Sequence, residues 1–219
     1  MSDNAHIDAQ DIWATPLFSF TLPDHDFLKD DLITHIRHSE KQQGRAIDSL
    51  VAETAKHNLS ESTFDFLDSE DPTVMELRRL LEEAILEVVT DLNQTFWPDG
   101  AEAESHIIES WYHVTKSGGY HDMHSHPNCS WCGIYYLDPG NTSETDSIGG
   151  KNRFYDPRVN ADHFGDPATA YIGGHGVWDI TPQSGQVVLF PSYLKHSALP
   201  YFGKQDRIVI AFNSITELY

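Results

Sequence analysis

The chain has 219 residues, enough to bury a full core as one domain, and its 39% hydrophobic content with five Trp, nine Tyr and eleven Phe is that of a packed globule rather than a disordered segment. Its formal net charge of -20 repels phosphate backbones and anionic lipid, which argues against nucleic-acid or membrane-surface binding through a basic patch.

Met1 to Asp11 is polar and acidic, without the basic and apolar regions of a secretory signal, and no apolar run is long enough for a bilayer, so a cytoplasmic location is expected. Trp13 to Phe20, WATPLFSF, reads as a short strand. Asp24 then offers a helix N-cap, and Leu28, Leu32 and Ile36 give that helix one apolar face. Gly44 to Ser62 carries helix formers without a clean period and stays unassigned. Asp71-Pro72 is a strong helix start, a capping carboxylate followed by proline at the first helical position. Val74, Leu77, Leu81, Ile85, Val88, Leu92 and Phe96 follow at three-four spacing, which predicts a long amphipathic helix ending near Pro98-Asp99-Gly100.

Beyond it the pattern changes to short β-rich runs: Ile107 to Thr115, Trp131 to Leu137, Tyr171 to Ile172, Val187 to Phe190 and Ile208 to Phe212. Gly and Pro turns separate them, as in an all-β barrel or sandwich. Asp138 to Gly150 is polar and Gly-rich and reads as a mobile loop. Cys129 and Cys132 make no disulfide framework, and a single CxxC is a poor zinc-ribbon signal, so they read as ordinary strand residues.

The densest chemical signal is GGYHDMHSHP, Gly118 to Pro127. On an extended segment residues i and i+2 share a face, so His124 and His126 can reach one ion. Among thirteen His an HxH also arises readily by chance. His196 strengthens the metal reading, because it follows an apolar strand and the turn-like Pro191-Ser192-Tyr193, at what would be the mouth of a barrel. Three imidazoles with open positions suit Fe, Zn, Cu or Ni. Arg207, opening the strand RIVIAFN, can hold a carboxylate as a bidentate pair if it lines the barrel, or is a plain edge-strand arginine if it does not.

These residues resemble the Fe(II)/2-oxoglutarate-dependent oxygenase superfamily, in particular its prolyl-hydroxylase-like branch and bacterial 2OG-Fe(II) oxygenase families, over roughly residues 105 to 214. HSH at His124 to His126 stands at the first family motif, His196 at the distal histidine and Arg207 at the following cation. CGIYYLD, Cys132 to Asp138, is similar to the next strand, and GGKNRF, Gly149 to Phe154, to a GGxTxF segment. The resemblance implies a mainly β fold, a double-stranded β-helix (jelly roll, cupin-like barrel) preceded by helices packing on it. Size and the order of the elements point to one domain over 1–219, with a strand and helical part at 1–100 and the jelly-roll core at 101–219. The resemblance further implies Fe(II) held by His124, His126 and His196, and 2-oxoglutarate bound at its distal carboxylate by Arg207 with a hydrogen bond from Tyr136.

His126 stands where the family has a carboxylate ligand, which adds a positive charge to the site or leaves His126 outside the coordination shell. Asp122 and Asp156 are nearby but do not hold the His-x-Asp spacing. The letters also resemble a cupin: Gly118 to His126 fits its first motif, and Gly185, Pro191 and His196 part of its second. The Glu expected after HxH is missing, and Tyr193 stands where a Gly is expected. A cupin would be a dioxygenase, isomerase or small-molecule sensor that uses the same metal and has no role for Arg207. A third reading is a binding protein that retains the pocket without turnover. Trp111, Tyr112, Tyr120, Tyr135 and Trp178 read first as strand packing. His113, His121, His163 and His175 read as surface or satisfied core histidines, and Asn128 and Asn213 as candidate hydrogen-bond donors in the site. YIGGHG, Tyr171 to Gly176, lacks the strand-to-helix setting of a phosphate loop. The substrate, a small molecule or a protein side chain, and the oligomeric state stay open.

Overall fold

The computed structural model describes residues 14–43, 55–141, 149–158, 166–168 and 176–219. The expectations for Met1 to Asp11, Trp13, Tyr171 to Ile172, His163 and His175 lie outside them, as do most of 44–62 and of the loop at 138–150.

Strand β1 (Phe18–Thr21) leads into helix α1 (His25–Gln43). Asp24 turns the chain with φ 57°, and its carbonyl accepts from the amides of Phe27 and Leu28. Leu28, Leu32 and Ile36 are buried, as their spacing predicts. Strand β2 (Lys56–Glu61) forms in the unassigned region, as an edge partner of β3. Helix α2 (Pro72–Asn93) starts at Asp71, whose side chain accepts from the amides of Thr73 and Val74 at 2.9 and 3.3 Å. Its buried face runs through Val74, Leu77, Leu81 and Ile85 to Val89. The helix stops at Asn93, before Phe96, which sits on a 3-10 turn with its side chain exposed. The apolar run thus extends past the packed face.

The remaining strands are β3 (Ala103–His124), β4 (Trp131–Asp138), β5 (Asn152–Tyr155), β6 (Val177–Ile180), β7 (Gln186–Pro191), β8 (His196–Tyr201) and β9 (Arg207–Leu218). They order as β1-β7-β4-β9-β3-β8-β5-β6, with β2 also on β3, and every strand pairing among the described residues is antiparallel. The sheet curls into a jelly roll because β3 serves two partners. Its first half pairs with β9 and its last residues with β8. Between them Gly118 takes φ 84°, a left-handed conformation that side chains disfavour, and a Cβ on Gly119 would lie 2.6 Å from the Asn58 carbonyl oxygen. This glycine pair lets one long strand bend from one sheet to the other.

Period-two alternation sorts side chains to the two faces. Tyr135, Leu137, Val187, Leu189, Ile208 and Ile210 face α1 and α2, in one cluster with Leu32, Ile36, Leu77 and Leu81. Cys132, Ile134, Tyr136, Val188, Phe190 and Val209 form a second cluster inside the curl. Helix α2 also grips β3 by its backbone: Glu82 accepts from the Ile107 amide and Arg78 donates to the Ile107 carbonyl, both at 2.9 Å. That grip falls beside the register shift between Ile107 and Glu109. The helices therefore support the sheet from behind and leave its concave face free.

Candidate metal and cosubstrate site

His124 closes β3 and lies directly opposite His196, the first residue of β8. His126 stands two residues beyond the strand, its amide donating to the Ser192 carbonyl at 3.1 Å. One ligand nitrogen from each of His124, His126 and His196 falls within 4.8 Å of the others. This is the one group of potential metal ligands found among the described residues, and it contains no carboxylate. Asp122 takes part only through its carbonyl, and Asp156 pairs with Arg158.

The imidazoles of His124 and His196 are oriented by the backbone. Each places Nδ1 against a carbonyl, His124 on Asp122 at 2.7 Å and His196 on Leu194 at 3.0 Å. Donation from Nδ1 fixes the tautomer that leaves the Nε2 lone pair available to a cation. His126 is held differently, stacked on Trp111 with ring centroids 5.5 Å apart. Burial pushes the His124 imidazole down to about 4, with the His126 charge adding to it, and pushes His196 down to about 3, with His124 as the next cause. Near neutral pH both are therefore uncharged, as metal ligands must be.

The triad opens on a cavity of about 590 Å³, mouth included, whose lining also includes Arg207. Arg207 is 3% exposed and pairs with no carboxylate among the described residues. Burial lowers its pKa, and the neighbouring Tyr136 and Tyr201 oppose this. Its Nη2 donates to Asn152 Oδ1 at 2.5 Å, its guanidinium lies 5.6 Å from the Tyr136 ring centroid, and its Nε has no partner. A buried cation with a free N–H in a cavity is a seat for an anion. The arginine lines the barrel because Arg207, Val209, Ala211 and Asn213 alternate onto the concave face of β9.

Tyr136, expected to add a hydrogen bond to the cosubstrate, lies beside Arg207. It is not among the residues lining the cavity, and its hydroxyl donates to Asn152 Oδ1 at 2.9 Å. It braces the amide that braces Arg207, and the polar side chain at the wall is Asn152. Sequence reasoning passed over Asn152, although it sits at the Thr position of the GGxTxF-like segment.

Trp111, Tyr120, His113 and His121, read as packing or surface residues, line the cavity as well. His121 stacks on His124 with centroids 3.8 Å apart, and burial, then the His124 charge, lowers its pKa. His113 meets Glu61 through Nε2 at 2.5 Å, and Lys56 reaches the same carboxylate oxygen at 2.5 Å. Burial alone would raise the Glu61 pKa; His113 and Lys56 outweigh it and bring it down to about 2. Burial lowers the His113 pKa while its hydrogen bond with Glu61 opposes this, and Lys56 adds a cation to the same carboxylate. Tyr112 and Tyr135 pack in the helix-side core, Trp178 is exposed, and Asn128 lies on an exposed turn. Asn213 lines the cavity while donating to Glu109 at 2.7 Å.

Residues 109–213, just under half of the chain, match the family model described as "Putative 2OG-Fe(II) oxygenase". No curated protein matches by sequence. Among solved structures, a prolyl-4-hydroxylase from Pseudomonas putida is similar at TM-score 0.59 and 14% identity, covering 91% of this chain and 92% of that one. HygX from Streptomyces hygroscopicus, solved with nickel, 2-oxoglutarate and hygromycin B bound, is similar at TM-score 0.58 and 13% identity over 91% of this chain and 82% of that one. A Trichoplax adhaerens prolyl hydroxylase in complex with a hypoxia-inducible-factor peptide fragment is similar at TM-score 0.54 and 12% identity, covering 90% and 83% of the two chains. At such identities the likeness is one of fold, and the matched family segment contains all three histidines and Arg207.

Proposed function

We propose that the chain hydroxylates a C–H bond of a small-molecule or protein substrate, with iron held by His124, His126 and His196, a reading supported by the match of residues 109–213 to a 2OG-Fe(II) oxygenase family model. The observation that carries this reading is the joint presence, in one cavity, of three convergent imidazoles and a buried arginine without a carboxylate partner. A cupin-type metalloprotein accounts for the imidazoles and leaves Arg207 without a task.

The residues fit the two groups the family uses. Three neutral nitrogen ligands suit a divalent first-row metal, and Arg207 suits the distal carboxylate of 2-oxoglutarate. The chemistry supplied by the bound metal and cosubstrate is oxidative decarboxylation coupled to hydroxylation. The protein's part is positional. The Asp122 and Leu194 carbonyls aim His124 and His196, and Asn152 holds Nη2 of Arg207 so that the unpartnered Nε remains for the carboxylate. Ile134, Phe190, Ala198 and Val209 line the wall with apolar surface, which limits water and strengthens the charge pairing at Arg207. Replacement of the usual carboxylate by His126 makes the metal site one charge more positive.

Anaerobic titration of the Fe(II)-loaded protein with 2-oxoglutarate tests the reading. A weak visible charge-transfer band that saturates is expected. Iron retained without any 2-oxoglutarate binding, by spectroscopy or calorimetry, would select the cupin reading instead.

A further inference from the structure

We propose that Cys129 and Cys132 are a redox-active dithiol that a peroxide closes to a disulfide, and that closure weakens metal binding by disturbing His126. The two sulfurs lie 3.6 Å apart as free thiols, so bond formation at about 2.0 Å needs only a small approach. Cys129 is half-buried and reachable from solvent, whereas Cys132 is 2% exposed and lines the metal cavity. That asymmetry assigns the roles. The Cys129 sulfur attacks a peroxide oxygen and becomes a sulfenic acid, releasing water from hydrogen peroxide. The Cys132 sulfur then attacks the Cys129 sulfur and displaces a second water. Overall two thiols and one hydrogen peroxide give one disulfide and two waters, the two electrons passing from sulfur to peroxide.

The coupling to the metal site runs through three residues of chain. Cys129 Sγ lies 3.5 Å from the His126 carbonyl, to which its S–H points, and forming the disulfide removes that donor. The backbone between the two is pinned on either side: the His126 amide donates to the Ser192 carbonyl and the Ser130 amide to the Ser214 carbonyl. Ser192 Oγ also donates to the Cys129 carbonyl at 2.6 Å. A segment tied this closely passes a shift of Cys129 to His126. Of the three imidazoles, His126 is the one whose Nδ1 has no backbone carbonyl to aim it, so its position depends most on this segment. The second half of the proposal rests on the metal reading of the histidines; the disulfide itself does not.

The experiment uses the 219-residue chain, stripped of metal, in which these are the only two cysteines. After treatment with an equivalent of hydrogen peroxide, thiol titration in denaturant and intact mass are read. Loss of both thiols and of two hydrogens, with the chain still monomeric in a non-reducing gel, is expected. Persistent oxygen adducts, cross-linked dimers or unchanged thiols overturn the dithiol. Nickel(II) is then titrated calorimetrically into reduced and oxidised protein. The oxidised form is expected to bind about 10-fold more weakly, the scale of lost support around a metal ligand, and dithiothreitol is expected to restore it. Equal affinities overturn the coupling. Absence of nickel binding to the reduced protein overturns the triad and the coupling with it, while the thiol result still judges the disulfide. The Cys129→Ser/Cys132→Ser variant should bind nickel without responding to peroxide, and a peroxide response there overturns the assignment. If that variant does not fold, failure of dithiothreitol to reverse the wild-type shift does so.

Discussion

At the scale of single residues the site separates its two tasks. Arg207 is distant from the imidazoles in chemistry though not in cavity, so Arg207→Ala should weaken 2-oxoglutarate binding by about 3 kcal/mol, near a hundredfold, while metal affinity stays within about twofold. Calorimetry with each ligand separately checks this, and a parallel loss of both would mark Arg207 as structural. Glu61 gives a prediction in pH. Its carboxyl sits at about 2 in the fold against 4.5 as its ordinary value, so the unfolded chain binds its proton first as pH falls. The stability it contributes is complete above pH 4.5 and is lost as pH falls through about 2. Urea unfolding of the wild type and Glu61→Gln should differ by on the order of 2 kcal/mol near neutrality, and the difference should shrink on acidification. A gap independent of pH would place the effect elsewhere.

Among elements, α2 works from behind the sheet. Leu81 is fully buried between α2 and the strands, and Leu81→Ala should cost about 2 to 5 kcal/mol of stability while leaving metal affinity unchanged in the protein that remains folded. Thermal unfolding and nickel titration of the same sample separate the two effects. The face of this helix was legible in sequence because a capping Asp71 and a three-four apolar period act within one element. Strands β4, β7 and β9 were legible for a related reason, being apolar on both faces. The short strands β2, β5, β6 and β8 were not, since four to six residues show no clear period and their pairing is decided by distant partners. The His-x-His, the distal histidine and the arginine could be singled out by residue type and spacing. His121 and Trp111 could not, because nothing in their local sequence tells that a curled sheet turns them toward one cavity, whereas Asn152 carried a signal in its place within the GGxTxF-like segment. His126 shows the same limit: the i, i+2 rule presumes a strand running through it, and β3 ends at His124.

The whole molecule presents 34 acidic residues against 14 basic ones, yet its concave face gathers uncharged imidazoles and one arginine. Such a cavity is expected to take a divalent cation together with a dianionic acid, each offsetting the other's charge, more readily than either alone. Nickel with 2-oxoglutarate should therefore raise the melting temperature beyond the sum of the separate shifts, and chelation should abolish the gain. At 100 times the dissociation constant a ligand adds about 2.7 kcal/mol, which is measurable by calorimetric melting. No helix among the described residues is long and apolar enough to cross a membrane. One pairing has a wider effect. His124 stands opposite His196 across two strands that meet only at the end of the chain's longest strand, and a slip of β8 by one residue would bring Ser197 there and turn His196 to the other face. Metal affinity is therefore expected to report on the register of β8 against β3. A chain with β8 out of register on β3 would separate His196 from His124, so adding nickel to a refolding mixture should enrich the correct pairing by mass action, and an unchanged refolding yield would count against it.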